Sequence, residues 1–171
     1  MDTRTKPLNA QLAQIAWVVS DIKVAEAFFK EVMGIKEFGK AENMRAQDSD
    51  ATYFGKPGDF VTHVSSAYSG GCFIELIQPV SGRSIFQDYL DKHPEGGLQH
   101  IAYSLPIAEL EGAVARLTAK GYPIISTFDT PIAKIVFFDT YDAVGVATEI
   151  MGITEDGARL VEQWKHAGGV M

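Results

Sequence analysis

Apolar and polar positions along this chain follow one scheme, and they follow it twice. The run "QIAWVVSDIKVAEAFFKEVMGIKEF" from Gln14 opens on a short apolar strand; Ala25, Phe28, Phe29 and Val32 then recur at helical spacing before Gly34, a residue suited to a helix stop. The run "HIAYSLPIAELEGAVARLTAKGYPI" from His100 repeats this with Leu110, Val114 and Leu117 before Gly121. Each half continues in strand-like runs and closes on a strand carrying a glutamate, Glu75 in "GGCFIELIQPV" and Glu149 in "VGVATEIMG". The openings are 86 positions apart and the closing glutamates 74, so the first half is longer by 12 residues. The stretch "KAENMRAQDSDATYFGKPGD" takes up the difference, its polar, Gly and Pro residues reading as a loop.

The pattern predicts an α+β fold of two tandem βαβββ modules, residues 11–80 and 98–152. Between them, residues 81–97 form a linker with a short amphipathic helix from Ser84 to Lys92; a terminal helix over 154–167, N-capped by Thr154, belongs to a closing segment 153–171.

Alternation assigns faces. On the first strand Ile15, Trp17 and Val19 point toward the following helix, which leaves Gln14 on the opposite face; Ile101, Tyr103 and Leu105 do the same in the second half and leave His100 opposite. Glu75 shares a face with Phe73 and Ile77, and Glu149 with Ala147 and Met151. Two carboxylates in apolar strands with no Lys or Arg beside them require a compensating charge. A bound cation satisfies both. An amide oxygen, an imidazole nitrogen and two carboxylates form a donor set for a divalent ion such as Zn, Ni, Co or Mn.

Composition narrows the classes of function. The 171 residues carry a net charge of −7 and no run of five basic residues, which argues against nucleic acid as a partner. No apolar stretch approaches the roughly 18 residues of a membrane span, and "MDTRTKPLNAQLAQ" has no apolar signal core, so the reading is a cytoplasmic protein without a membrane partner. Cys72 is the only cysteine, which excludes an internal disulfide and a thiolate-rich metal site; alternation puts it opposite Glu75, as a core residue. Phe28 and Phe29 read as a helix face, and Ser69–Gly71 as a hairpin turn.

Paired modules with polar residues on the first and last strand of each resemble the vicinal oxygen chelate (VOC) superfamily, the glyoxalase/bleomycin resistance fold. "IELIQPVSGRSIFQDYLDKHPEGGLQHIAYSL" is particularly similar to methylmalonyl-CoA epimerase-like and glyoxalase-like members, and the resemblance covers residues 11–152. It implies a curved, barrel-like mixed sheet with helices outside, a homodimer, and one divalent metal held by Gln14, Glu75, His100 and Glu149. The Gln, Glu, His, Glu order is that of the eukaryotic-type glyoxalase I. That enzyme grips glutathione with an arginine and an asparagine where this chain has Val18 and Pro79, which argues against glutathione here. The epimerases place a second catalytic glutamate in the first-half loop; Asp59 in "GKPGDFVTHV" is the nearest acid, and His63 faces the pocket if its strand keeps register.

These features imply proton abstraction next to a carbonyl of a small-molecule substrate, by an isomerase, epimerase or lyase. Glu149 is the expected principal base and Glu75 its partner, with His63 and Asp59 as candidate substrate contacts. An extradiol dioxygenase is disfavoured, because its iron needs two histidines and a carboxylate. The alternative is a metal-free protein that sequesters a small molecule in the same cleft; such a protein has no use for buried acids on both closing strands.

Overall fold

A computed structural model describes residues 7–166. The first module runs β1 (Gln11–Val18), α1 (Ile22–Glu31), β2 (Gly39–Arg45), a 3-10 turn (Ala46–Ser49), the small hairpin β3 (Thr52–Tyr53) and β4 (Lys56–Pro57), then β5 (Asp59–Ser69) and β6 (Cys72–Arg83). After α2 (Ile85–Lys92) the second runs β7 (Gly97–Pro106), α3 (Ile107–Ala119), β8 (Ile124–Asp129), β9 (Ala133–Phe138), α4 (Tyr141–Val144) and β10 (Ala147–Ile153), followed by α5 (Glu155–His166). The strands form one mixed sheet in the order β2-β5-β6-β1-β7-β10-β9-β8-β3-β4, curled into a half-barrel with α1 and α3 on its outer face.

Read outward from the antiparallel β1–β7 seam, the two halves are alike. β1 pairs in parallel with β6, and β7 pairs in parallel with β10. Apolar residues pack on both faces of this sheet. Val18, Phe60, Ile77, Phe86 and Phe137 fill the inside of the curl. Outside, Ile22 of α1 packs with Ile35, Phe38 and Leu76, and Leu110 and Ala113 of α3 pack with Leu105, Phe138 and Ile150.

Trp17, Val19 and Leu105 face the helices as alternation predicts, but α1 sits rotated from its expected face. Its inward row is Ile22, Ala25, Glu26 and Phe29, whereas Phe28 and Val32 are exposed. Both rows are apolar at helical spacing, so periodicity could not choose between them. Tyr103 is likewise half-exposed. Cys72 is half-buried at the β5–β6 hairpin, its thiol directed to the Phe73 carbonyl, and it belongs to none of the three clusters. The short hairpin, with Gly70 at φ +61°, leaves it too near the tip to be covered.

The extra residues of the first half are more ordered than a loop. β2 forms one edge of the sheet, and the β3–β4 hairpin docks on β8 at the other. Thr52 and Thr127 share a hydroxyl–hydroxyl bond of 2.8 Å, and Ser126 donates to the Thr52 carbonyl at 2.7 Å. Residues 46–51 thus cross the open side of the curl, with Ala46 and Ala51 buried in the inner cluster. At the far end the Thr154 hydroxyl accepts the Gly157 N–H at 3.1 Å and caps α5. Residues 167–171 of the expected closing segment lie outside the described residues. No helix among the described residues is long and apolar enough to cross a membrane.

One polar group is buried under α1. Glu26 accepts from the Ser65 hydroxyl at 2.6 Å and pairs with Lys40 at 2.9 Å and Lys30 at 3.6 Å. Burial alone would raise its carboxyl; the Ser65 hydroxyl and the two ammonium groups outweigh that and hold it below its ordinary value. Glu26→Ala is expected to lower stability by about 1–3 kcal/mol in urea unfolding at neutral pH, since it strands the Ser65 hydroxyl. A carboxyl held low contributes stability above its unfolded pKa and loses it as pH falls through the folded one. The gap between variant and parent should therefore close in acid.

Candidate functional site

The four central strands β6, β1, β7 and β10 set the four polar residues in a checkerboard with alanine. Ala16 pairs with Glu75 on one side and His100 on the other, and His100 pairs with Ala147. One step along, Gln14 stands between Phe73 and Ala102, and Ala102 pairs with Glu149. Residues opposite one another across a ladder share a face. The fully buried Ala16, Ala102 and Ala147 leave room into which the longer side chains lean.

They meet at His100 Nε2. Gln14 Nε2 lies 3.2 Å from it, Glu149 Oε2 2.9 Å and Glu75 Oε2 3.7 Å, while Gln14 Nε2 donates to Glu75 Oε2 at 2.8 Å. Gln14, His100 and Glu149 are buried, and the Glu75 side chain keeps 20% exposure. Burial pushes the Glu75 carboxyl up to about 7; His100 opposes the rise, Glu149 adds to it, and the Gln14 hydrogen bond opposes it again.

The cluster contains no Lys or Arg. Glu149 Oε2 is buried without a hydrogen-bond partner although His100 Nε2 is close, so no N–H is aimed at it. Ser66 Oγ, the other such orphan among the described residues, belongs to the residue opposite Glu75 across the β5–β6 ladder. As the side chains stand, no group of three or more His, Cys, Asp and Glu among the described residues forms a metal-binding set. Gln14 turns its amide nitrogen inward, and exchanging the amide's two ends brings its oxygen there instead. An orphaned carboxylate oxygen, one buried and one half-buried acid and an imidazole nitrogen suit a divalent cation, so the residues present fit one.

Two apolar cavities flank the cluster. Gln14 and Glu75 line one of about 250 Å³, walled by Tyr68, Phe73, Ile135 and, from α5, Val161 and Trp164. Glu75 and Glu149 line the other, of about 210 Å³, with Phe60, Phe86, Phe128 and Phe137 packed ring against ring around it. Met44, Arg45, Ala46 and Ser49, from the stretch expected as a loop, also line it. Arg45 is the one cation among the residues lining the two cavities, and it is held by Asp48 through two hydrogen bonds.

Behind the cluster, His100 Nδ1 lies 2.6 Å from Gln99 Oε1, and Gln99 Nε2 donates to the Tyr141 hydroxyl at 3.0 Å. Burial pushes that hydroxyl up to about 12, so it keeps its proton through the neutral range. Sequence reasoning missed Gln99, Tyr141 and Trp164. Gln99 stands next to His100 in the chain, and alternation assigned it to the other face.

His63 and Asp59 are not brought to the cluster. His63 lies on the outer face with Ser65, lines a groove beside α1, and accepts the Asn43 N–H at 3.1 Å. Asp59 is exposed at the start of β5 and accepts from Gln47 at 3.1 Å. Phe60, Thr62 and Val64 alternate regularly onto the inner face and line the second cavity, which turns His63 outward; the bulge at this point places its extra residue, Val80, on β6.

Residues 13–137 match the family model of the Glyoxalase/Bleomycin resistance protein/Dioxygenase superfamily. Solved structures of similar shape include a hypothetical protein from Bacillus halodurans, 22% identical with a TM-score of 0.63 over 84% of this chain and 94% of that one. Methylmalonyl-CoA epimerase from Mycobacterium tuberculosis is 18% identical, with a TM-score of 0.61 over 91% of this chain and 98% of its own. A variant of the Streptomyces coelicolor methylmalonyl-CoA epimerase, in complex with 2-nitronate-propionyl-CoA, is 20% identical, with a TM-score of 0.57 over 84% and 93%. A search of curated proteins gives no match.

Proposed function

Because the chain belongs to the Glyoxalase/Bleomycin resistance protein/Dioxygenase superfamily, we propose that it is a divalent-metal-dependent isomerase, epimerase or glyoxalase-type lyase that removes a proton next to a carbonyl. The observation that carries this reading is the convergence of Gln14, Glu75 and Glu149 on His100 Nε2 inside an apolar cleft. Gln14, Glu75, His100 and Glu149 would hold the ion. Zn, Ni, Co or Mn bound there supplies positive charge toward a carbonyl oxygen.

The chain's own residues do the rest. Glu149 Oε2, with no hydrogen bond to occupy its lone pairs, is the base that accepts the proton. Glu75 borders both cavities, which supports it as the second carboxyl that returns a proton, either as Glu149's partner in epimerisation or to a different carbon in an isomerase. The phenylalanine-lined walls exclude water and favour a substrate whose non-reacting part is apolar. The solved epimerases similar to this chain bind CoA derivatives. A CoA thioester is one candidate substrate here, with its phosphates outside the two cavities, whose lining offers them only Arg45.

Metal titration of the chelator-treated protein tests this reading. One equivalent of Zn, Ni, Co or Mn should bind and raise the melting temperature. Burial holds the Glu75 proton up to about 7, and that proton must leave before the carboxylate can ligate. Affinity should therefore climb as pH rises toward neutrality and level off above it. Absence of binding with all four ions would point instead to a metal-free binder of apolar small molecules.

A further inference from the structure

β7 is irregular immediately before His100. Ala16 faces His100 while the next residue, Trp17, faces Leu98, so Gln99 is an extra residue against β1, a β-bulge. In a regular strand adjacent side chains point to opposite faces. Here both are fully buried and in contact, with Gln99 Oε1 2.6 Å from His100 Nδ1. A second bulge, at Ala13 before Gln14, repeats the irregularity in the first half. Only the second half fills the bulge with a hydrogen-bonding side chain, and only the second half follows it with a residue whose proton can sit on either of two nitrogens.

The orientation of the Gln99 amide follows from its neighbour. The Tyr141 hydroxyl donates its single proton toward the Gln99 carbonyl at 3.5 Å, which leaves its lone pairs for Gln99 Nε2–H at 3.0 Å. The amide nitrogen thus faces Tyr141 and the amide oxygen faces the imidazole. An amide oxygen only accepts, so Nδ1 carries the hydrogen. Phe137 meets the ring edge-on, at 5.0 Å and 90°, and fixes its plane.

We propose that Gln99, held by Tyr141, is a positioning residue that locks His100 in its Nδ1–H form and turns the bare Nε2 lone pair toward Gln14, Glu75 and Glu149. This rests on the metal reading only in what Nε2 then meets; the locked form itself is a property of the metal-free protein.

Nitrogen-15 spectra of histidine-labelled, metal-free protein test it, with the His100 signals assigned by their absence from His100→Ala. The parent should show His100 as the Nδ1–H form alone. Gln99→Leu removes the acceptor that holds the hydrogen on Nδ1, so the Nε2–H form should appear. Zinc affinity should then fall by about 10–100-fold. Gln99→Glu restores an acceptor and should restore the Nδ1–H form. Tyr141→Phe should loosen the lock in the same direction by a smaller amount, and it carries the test if Gln99→Leu does not fold. An Nε2–H signature in the parent, or an unchanged one in Gln99→Leu and Tyr141→Phe, overturns the inference. A protein that binds no metal but shows these shifts upholds the inference and removes the metal reading. One that binds zinc as tightly with Leu as with Gln at position 99, its tautomer unmoved, does the reverse.

Discussion

Glu149→Gln is expected to fold normally and to lose turnover by at least about 100-fold, the scale of a positioned general base. The substitution keeps the shape of a side chain that is 2% exposed, so packing gives little reason for instability. It also removes one of two carboxylates that stand within 4 Å of His100 with no Lys or Arg beside them, which should leave the metal-free protein no less stable. What it takes away is the unbonded Oε2, the atom free to accept a proton. The measurement is deuterium wash-in from D2O at the carbon beside the carbonyl, followed by NMR over a panel of thioesters, hemithioacetals and 2-oxo acids with apolar substituents. A substrate that exchanges with the parent and not with the variant assigns the base. Equal exchange in both would remove Glu149 from the mechanism.

The double substitution His100→Ala, Glu149→Ala is expected to abolish stoichiometric metal binding. It removes the nitrogen on which the cluster converges and the carboxylate closest to it. Elemental analysis of parent and variant side by side reads this directly. Near one equivalent of a transition metal in the parent and none in the variant is the expected pair. Losing the buried imidazole leaves a void against Phe86 and Phe137, at a cost of about 2–4 kcal/mol. A chelator separates the two effects. The parent should melt lower in its presence, whereas the variant, already lower, should not respond. A variant that retains metal would show that the ion sits elsewhere on the chain.

The sequence disclosed the checkerboard because duplication made it visible twice. Gln14 and His100 open their halves and Glu75 and Glu149 close them, and strand alternation was enough to turn all four to one face. Alternation failed at one irregular point of the ladder. The bulge at Gln99 hid the side chain that contacts the imidazole, whereas His63 faces the outer groove because its neighbours Thr62 and Val64 hold the inner face. Helical periodicity failed for a different reason. Val24, Phe28 and Val32 form a second apolar row on α1, and only the sheet beneath selects the row of Ile22, Ala25, Glu26 and Phe29. Trp164 could not have been assigned to a cavity wall, because the docking of α5 depends on contacts with residues far away in the chain.

The crossing from β2 to the β3–β4 hairpin bears on how the protein is made. Thr52 must find Thr127, 75 residues later, before the hairpin has a partner. β1, at the seam, likewise waits for β7. At about 5–20 residues per second, a ribosome leaves the hairpin unpaired for roughly 4–15 s after its synthesis. Through that interval the first module exposes the free edge of β1 and the open mouth of its curl, so the emerging chain needs shielding in the cell until its second half arrives.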